Sequence, residues 1–331
     1  MTAVDTARDE RAWELMQSVH RIIQKGDRLT GDWLQAASAL EEAAAIHGEA
    51  GRDYDQGRCL QLAATLRRSA GDTARARLLA ERAASVAPPD PTLAVSIATE
   101  RAETASAESR YQDAAGLWEE AVAKAREAGA KPEGLSAMLR SRGRAWMAVG
   151  QTITAQESFE EAASLLETAL GKEAAGLVRT EHAGVLLDYG LLAEASDVLD
   201  AIDLSVSAHL RAEALVMRAR AARTAAAHGE AIECARQARD AALEAVAPVS
   251  YFAAGLELAQ AFDAQGDHAG AYGALATAWA TLGDLLGKSA AQSWVEPVLL
   301  AYQMKWGEQA FAEARRAYEA QRRAAKTEGK P

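Results

Sequence analysis

The chain has 331 residues and a formal net charge of −11, a balance that argues against a bulk nucleic-acid binder, which would carry a basic footprint. Hydrophobic residues make up 49% of it but aromatics only 5%, so alanine supplies much of the apolar content and closely approaching helices are favoured over sheet. The two cysteines, Cys59 and Cys234, lie far apart, which argues against a disulfide framework and for a reducing compartment.

The opening MTAVDTARDERAW is charged and lacks an apolar signal segment. No apolar run approaches the roughly 20 residues of a membrane span. The chain has no asparagine, so it carries no N-glycosylation acceptor. A cytoplasmic protein without membrane contact is expected. Residues 1–56 read as two or three helices forming a degenerate capping unit, with Thr30 or Asp32 as N-cap of the stretch TGDWLQAASALEEAAAIHGEAG.

From residue 57 a pattern recurs. GDTARARLLAERA from Gly71 is echoed by SRYQDAAGLWEEA from Ser109, GQTITAQESFEEA from Gly150 and GLLAEASDVLDAI from Gly190. AAHGEAIECARQA from Ala226 and GDHAGAYGALATA from Gly266 follow. In each, small or apolar residues spaced by four and three share a helix face. A second helical stretch precedes each copy and carries a small residue seven places before the turn: Ala64, Ala102, Gly143, Ala183, Ala219 and Ala259. The unit is helix, short turn, helix, with starts at 57, 95, 136, 176, 212 and 252 and a period of 36 to 41 residues. Such a period signals a helical solenoid. The alanines are expected where two helices cross closely, so that a bulky side chain there would wedge them apart. Pro88, Pro89, Pro91, Pro132 and Pro248 punctuate the units.

On these residues the chain resembles the tetratricopeptide repeat (TPR) family. That unit has small residues at its eighth, twentieth and twenty-seventh places, as in Ala64, Ala76 and Ala83 or Ala259, Ala271 and Ala278. The resemblance implies an all-α, right-handed α-solenoid of stacked antiparallel helix pairs. Six repeats would cover 57–290, and a C-terminal capping helix pair would cover 291–325 with Pro297 in a first turn. A frayed tail would occupy 326–331. The period exceeds the usual 34, which implies longer helices or longer links. Arg67 and Arg179 occupy places that are normally apolar, so their helices are shifted or their stems snorkel.

Little else carries chemistry. HExxH, CxxC, P-loop and GxSxG patterns are missing, and the six histidines never pair at metal-ligand spacing, so they read as surface or cap residues. Pairs such as Glu41–Glu42, Glu119–Glu120 and Glu160–Glu161 read as solvated helix faces. Neither an enzyme, a cofactor nor a metal is expected.

In the family resembled, the second, fifth, ninth, twelfth and thirteenth places of each first helix face a groove. Here they hold Arg58, Gln61, Thr65, Arg68 and Ser69, then Ser96, Thr99, Glu103, Ser106 and Ala107, then Ala137, Arg140, Arg144, Met147 and Ala148. The later repeats place there Leu177, Thr180, Gly184, Leu187 and Asp188, then Glu213, Val216, Arg220, Arg223 and Thr224, then Ala253, Leu256, Gln260, Asp263 and Ala264. Arg58, Arg68, Arg140, Arg144, Arg220 and Arg223 stand out against an acidic chain, and guanidinium forks suit carboxylates. Two readings follow: a groove for an acidic or carboxylate-bearing protein segment, or arginines paired with neighbouring glutamates. The family's clamp for C-terminal carboxylates uses lysines and asparagines, and this chain has no asparagine. A second ladder, Arg101, Arg142, His182 and Arg218, precedes the eighth place, with acids such as Glu100 or Glu181 as expected partners. The leading expectation is a non-enzymatic protein- or peptide-binding scaffold. A regulatory sensor that changes superhelix on binding a peptide or small ligand, and a self-assembling structural solenoid, are the alternatives. Oligomeric state and partner identity are not legible.

Overall fold

The computed structural model describes residues 3–26 and 29–328. Among them are sixteen α-helices and no strand. They are α1 (Ala3–Ile23), α2 (Thr30–Glu49), α3 (Asp53–Ser69), α4 (Thr73–Val86), α5 (Pro91–Ala107), α6 (Tyr111–Glu127), α7 (Pro132–Val149) and α8 (Thr152–Leu170). The rest are α9 (Lys172–Asp188), α10 (Leu192–Asp200), α11 (Ala208–Thr224), α12 (His228–Glu244), α13 (Pro248–Ala264), α14 (His268–Leu286), α15 (Lys288–Trp306) and α16 (Glu308–Glu328). The last of these continues through the first part of the expected frayed tail, and residues 329–331 lie outside the described ones.

The chain forms two compact bodies, Met1–Ala169 and Leu170–Pro331. Within each, helices pack on their sequence neighbours as antiparallel hairpins. First helices also pack on the next first helix: α3 on α5 in the N-terminal body, and α9 on α11 and α11 on α13 in the C-terminal body. Within each body this is an all-α solenoid organisation in which hairpins bury their apolar faces on one another.

Small residues build the crossings. Ala64, Ala76, Ala83, Ala102, Ala114, Ala121, Ala155, Ala162, Ala183, Ala195, Ala219, Ala231, Ala238, Ala259, Ala271 and Ala278 are all buried. Gly143 marks a close approach: a Cβ there would sit 2.7 Å from the Phe159 ring and 3.2 Å from the Ala155 carbonyl. Leucines and a few aromatics, such as Phe159 and Tyr251, fill the remaining space.

Each hairpin turns through one residue in the left-handed region: Gly71, Ser109, Gly150, Gly190, Ala226 and Gly266. These are the residues that begin the six recurrent stretches. At each, two backbone bonds close the first helix, as where Gly71 N–H reaches the Arg68 carbonyl and Asp72 N–H the Arg67 carbonyl. Glycine takes this conformation without cost, whereas Ser109 and Ala226 carry a Cβ into it.

The long period resides in the helices. Every first helix begins four residues ahead of its pattern start, at 53, 91, 132, 172, 208 and 248, which adds one helical turn. Pro91, Pro132 and Pro248 therefore stand at the start of a helix rather than between units, where a missing N–H is harmless. Pro297 corrects the expectation in the other direction. It lies nine residues inside α15, where its ring removes the donor that the Ser293 carbonyl would otherwise take. Neither Thr30 nor Asp32 is the N-cap of α2: that place belongs to Leu29, whose backbone N–H donates to Asp32 Oδ2 at 3.0 Å. α10 has only nine residues, and Arg218 of α11 reaches its end, donating to the Leu199 carbonyl at 3.0 Å and pairing with Asp200.

Candidate functional site

The places expected to face a groove divide into two sets. At the fifth and twelfth places, Met147, Thr180, Leu187 and Val216 are buried, and Arg68 and Arg223 are partly so. The second, ninth and thirteenth places are more open: Arg58, Ala137, Arg144, Gln260 and Ala264 are exposed. At Arg68 and Arg223 the twelfth place meets the seam between consecutive first helices, to which the seven-residue spacing returns it.

Seam polar residues bind across it. In the N-terminal body Arg68 donates to Glu100 Oε1 at 2.8 Å and also pairs with Glu103; Thr65 donates to Glu100 Oε2 at 2.7 Å. In the C-terminal body Arg223 Nε donates to Glu257 Oε2 at 2.7 Å, and Arg220 pairs with Asp188. Ser207 and Ser250 donate to Glu173 and Glu213 in the same way. Asp263 reverses the polarity, accepting from Lys305 Nζ at 2.6 Å and Trp306 Nε1 at 2.7 Å. The expected groove arginines Arg68, Arg220 and Arg223 are therefore engaged with acids of this chain. Arg58 and Arg144 are exposed and Arg140 is half-buried. Arg58, Arg68, Arg140 and Arg144 belong to the N-terminal body, Arg220 and Arg223 to the C-terminal one.

The second ladder pairs with acids and hydroxyls of the second helices, of its own hairpin and, at Glu81, of the one before. Arg101 reaches Glu120 and Glu81, and Arg142 reaches Ser158 and Glu161. Glu100 is not its partner, because the seam arginine Arg68 holds it. His182 is buried, not a surface or cap residue. The acidic pairs are tied by ions as well: Glu41 takes Arg67 and Arg75, Glu42 takes Arg11, and Glu161 also takes Arg126. Arg67 thus enters an apolar place by carrying its guanidinium out to Glu41 on α2.

One cavity collects expected groove residues. It measures about 770 Å³ in the C-terminal body, and Arg223, Leu256, Gln260, Asp263 and Ala264 line one side. His228 and one face of α15, with Pro297, Val298, Ala301, Tyr302 and Lys305, complete it. The α15 residues were not legible as site residues, since the small-residue signature ends near residue 290 and α15 reads as a cap. Burial pushes the Tyr302 hydroxyl up to about 12, aided by the Asp263 charge, so it stays neutral. Among the described residues no group of three or more His, Cys, Asp or Glu could hold a metal ion, and no helix is long and apolar enough to cross a membrane.

The fold and its seams define an all-α protein of stacked helix pairs. No family model and no curated protein sequence matches the chain. Among solved structures, BtubC (BKLC) from P. vanneervenii aligns over 72% of this chain and 92% of its own, at 16% identity and a TM-score of 0.43.

Proposed function

We propose that the protein is a non-enzymatic, TPR-like scaffold that holds a protein or peptide segment, and that the cavity of the C-terminal body is its binding site. The observation that supports this reading is the convergence on one cavity of five residues from the expected groove places, Arg223, Leu256, Gln260, Asp263 and Ala264. A cleft with an apolar wall and a few placed polar groups is the usual form of a binding site. A carboxylate-bearing partner remains the preferred occupant. It is served by the cavity's own cations, rather than by six arginines acting together, because seam acids hold Arg68 and Arg220.

The test is selection from a random peptide library on the wild-type protein, with an Ala301→Trp variant as counter-screen. Ala301 is exposed on the cavity wall, so tryptophan there fills the cavity without disturbing the core. Peptides should be recovered that bind wild type and not the filled variant. Recovery of none would overturn the reading.

A further inference from the structure

We infer that this cavity takes a peptide segment in which an acidic side chain lies beside a bulky apolar one. The inference rests on the binding reading above and names the chemistry of the segment.

The charges at the cavity come in stacked pairs, and burial separates their roles. Asp263 is 9% exposed and accepts from both Lys305 and Trp306. Glu257, 12% exposed, is held by Arg223. Both acids thus lie beneath their cations, and a ligand cation would have to displace Lys305 or Arg223 to reach them. Lys305 is 65% exposed and uses one of its three N–H donors on Asp263, while Arg223, which also lines the cavity, commits Nε and Nη2 to Glu257 and not its Nη1. His228 lies beside them in the lining. What a ligand meets first is therefore a set of donors, and an acceptor of negative charge satisfies them with nothing displaced.

The rest of the wall is apolar. Leu256 and Val298 are half-buried and Tyr302 is buried, with Pro297 and Ala301 beside them. Polar donors beside hydrocarbon in one cavity select neighbouring acidic and apolar side chains, and discriminate against an all-acidic run, which would leave this wall against carboxylates. The volume of about 770 Å³ accommodates a few residues of extended chain.

The experiment is a random-peptide selection with fixed flanks on both sides, so that no terminus is free. The recovered sequences are then resynthesised and titrated by fluorescence anisotropy. Peptides that prefer wild type over Ala301→Trp should carry Asp or Glu beside Leu, Ile, Phe or Trp. Replacing that acid by its amide should weaken binding about tenfold, as should Lys305→Gln, with Lys305→Arg retaining affinity and added salt weakening it. Lys305→Gln leaves Asp263 its bond from Trp306; should that variant fail to fold, the peptide's amide replacement reads the same contact. Wild-type-preferring peptides that lack an acid, or that bind equally in amide form, would overturn this inference and leave the binding reading standing. Absence of any wild-type-preferring peptide would overturn the reading itself.

Discussion

Arg223 of α11 donates to Glu257 of α13 at 2.7 Å, and Arg68 of α3 donates to Glu100 of α5 at 2.8 Å. Each arginine holds the twelfth place of its repeat and each glutamate the sixth of the next, so one bridge recurs in two seams. Glu100 is 3% exposed and also accepts from Thr65 and Thr104. Arg68→Met should leave that carboxylate buried without its cation and destabilise the protein by about 3 kcal/mol, while adding Glu100→Gln should restore most of the loss. Urea denaturation of the single and double variants measures this. Additive losses would show that the bridge does not couple the two helices.

At the crossing of α7 and α8, Gly143→Ala must move Phe159 or the Ala155 carbonyl. The expected cost is about 1–3 kcal/mol, and Ala76→Leu, Ala155→Leu and Ala271→Leu should each fall in or above that range. Unchanged urea midpoints would contradict the packing described here.

Val246 holds a φ of 51° in the turn between α12 and α13, with its side chain 68% exposed. A β-branched residue is strained there and gains nothing from burial. Val246→Gly should therefore stabilise the protein by up to about 1 kcal/mol, the relief of strain being partly offset by glycine's chain entropy. A lower thermal midpoint in the variant would show that the valine contributes contacts that outweigh its conformation.

Burial pushes the Cys59 thiol from 9.0 up to about 11. Its folded pKa lies above the unfolded one, so the stability linked to it is complete below about pH 9 and is lost as pH rises through 11. Stability should fall over that window, and Cys59→Ala should flatten the fall. At pH 8 a thiol reagent should label the half-buried Cys234 well before the buried Cys59; equal rates would mean that α3 opens readily.

Sequence periodicity alone was enough to place the helix pairs, because a small residue returning at spacings of four and three can only mark a face that another helix approaches. Ala76, Ala155 and Ala271 stand buried where that argument put them. The residues beginning the six recurrent stretches became the left-handed turn residues, since a chain reversal after a helix needs that conformation in one place. Tertiary structure decided the rest. Whether an arginine on a helix faces solvent or a neighbouring helix depends on the rotation of that helix against the next. A seven-residue step along the helix put Arg68 and Arg223 into seams opposite Glu100 and Glu257. Likewise Pro297 ended inside α15, because packing against α14 and α16 sustains a helix through a residue that local propensity would exclude. The cavity exists only where α15 lies beside α13, and it draws Lys305 to Asp263 across 42 residues that no local pattern connects.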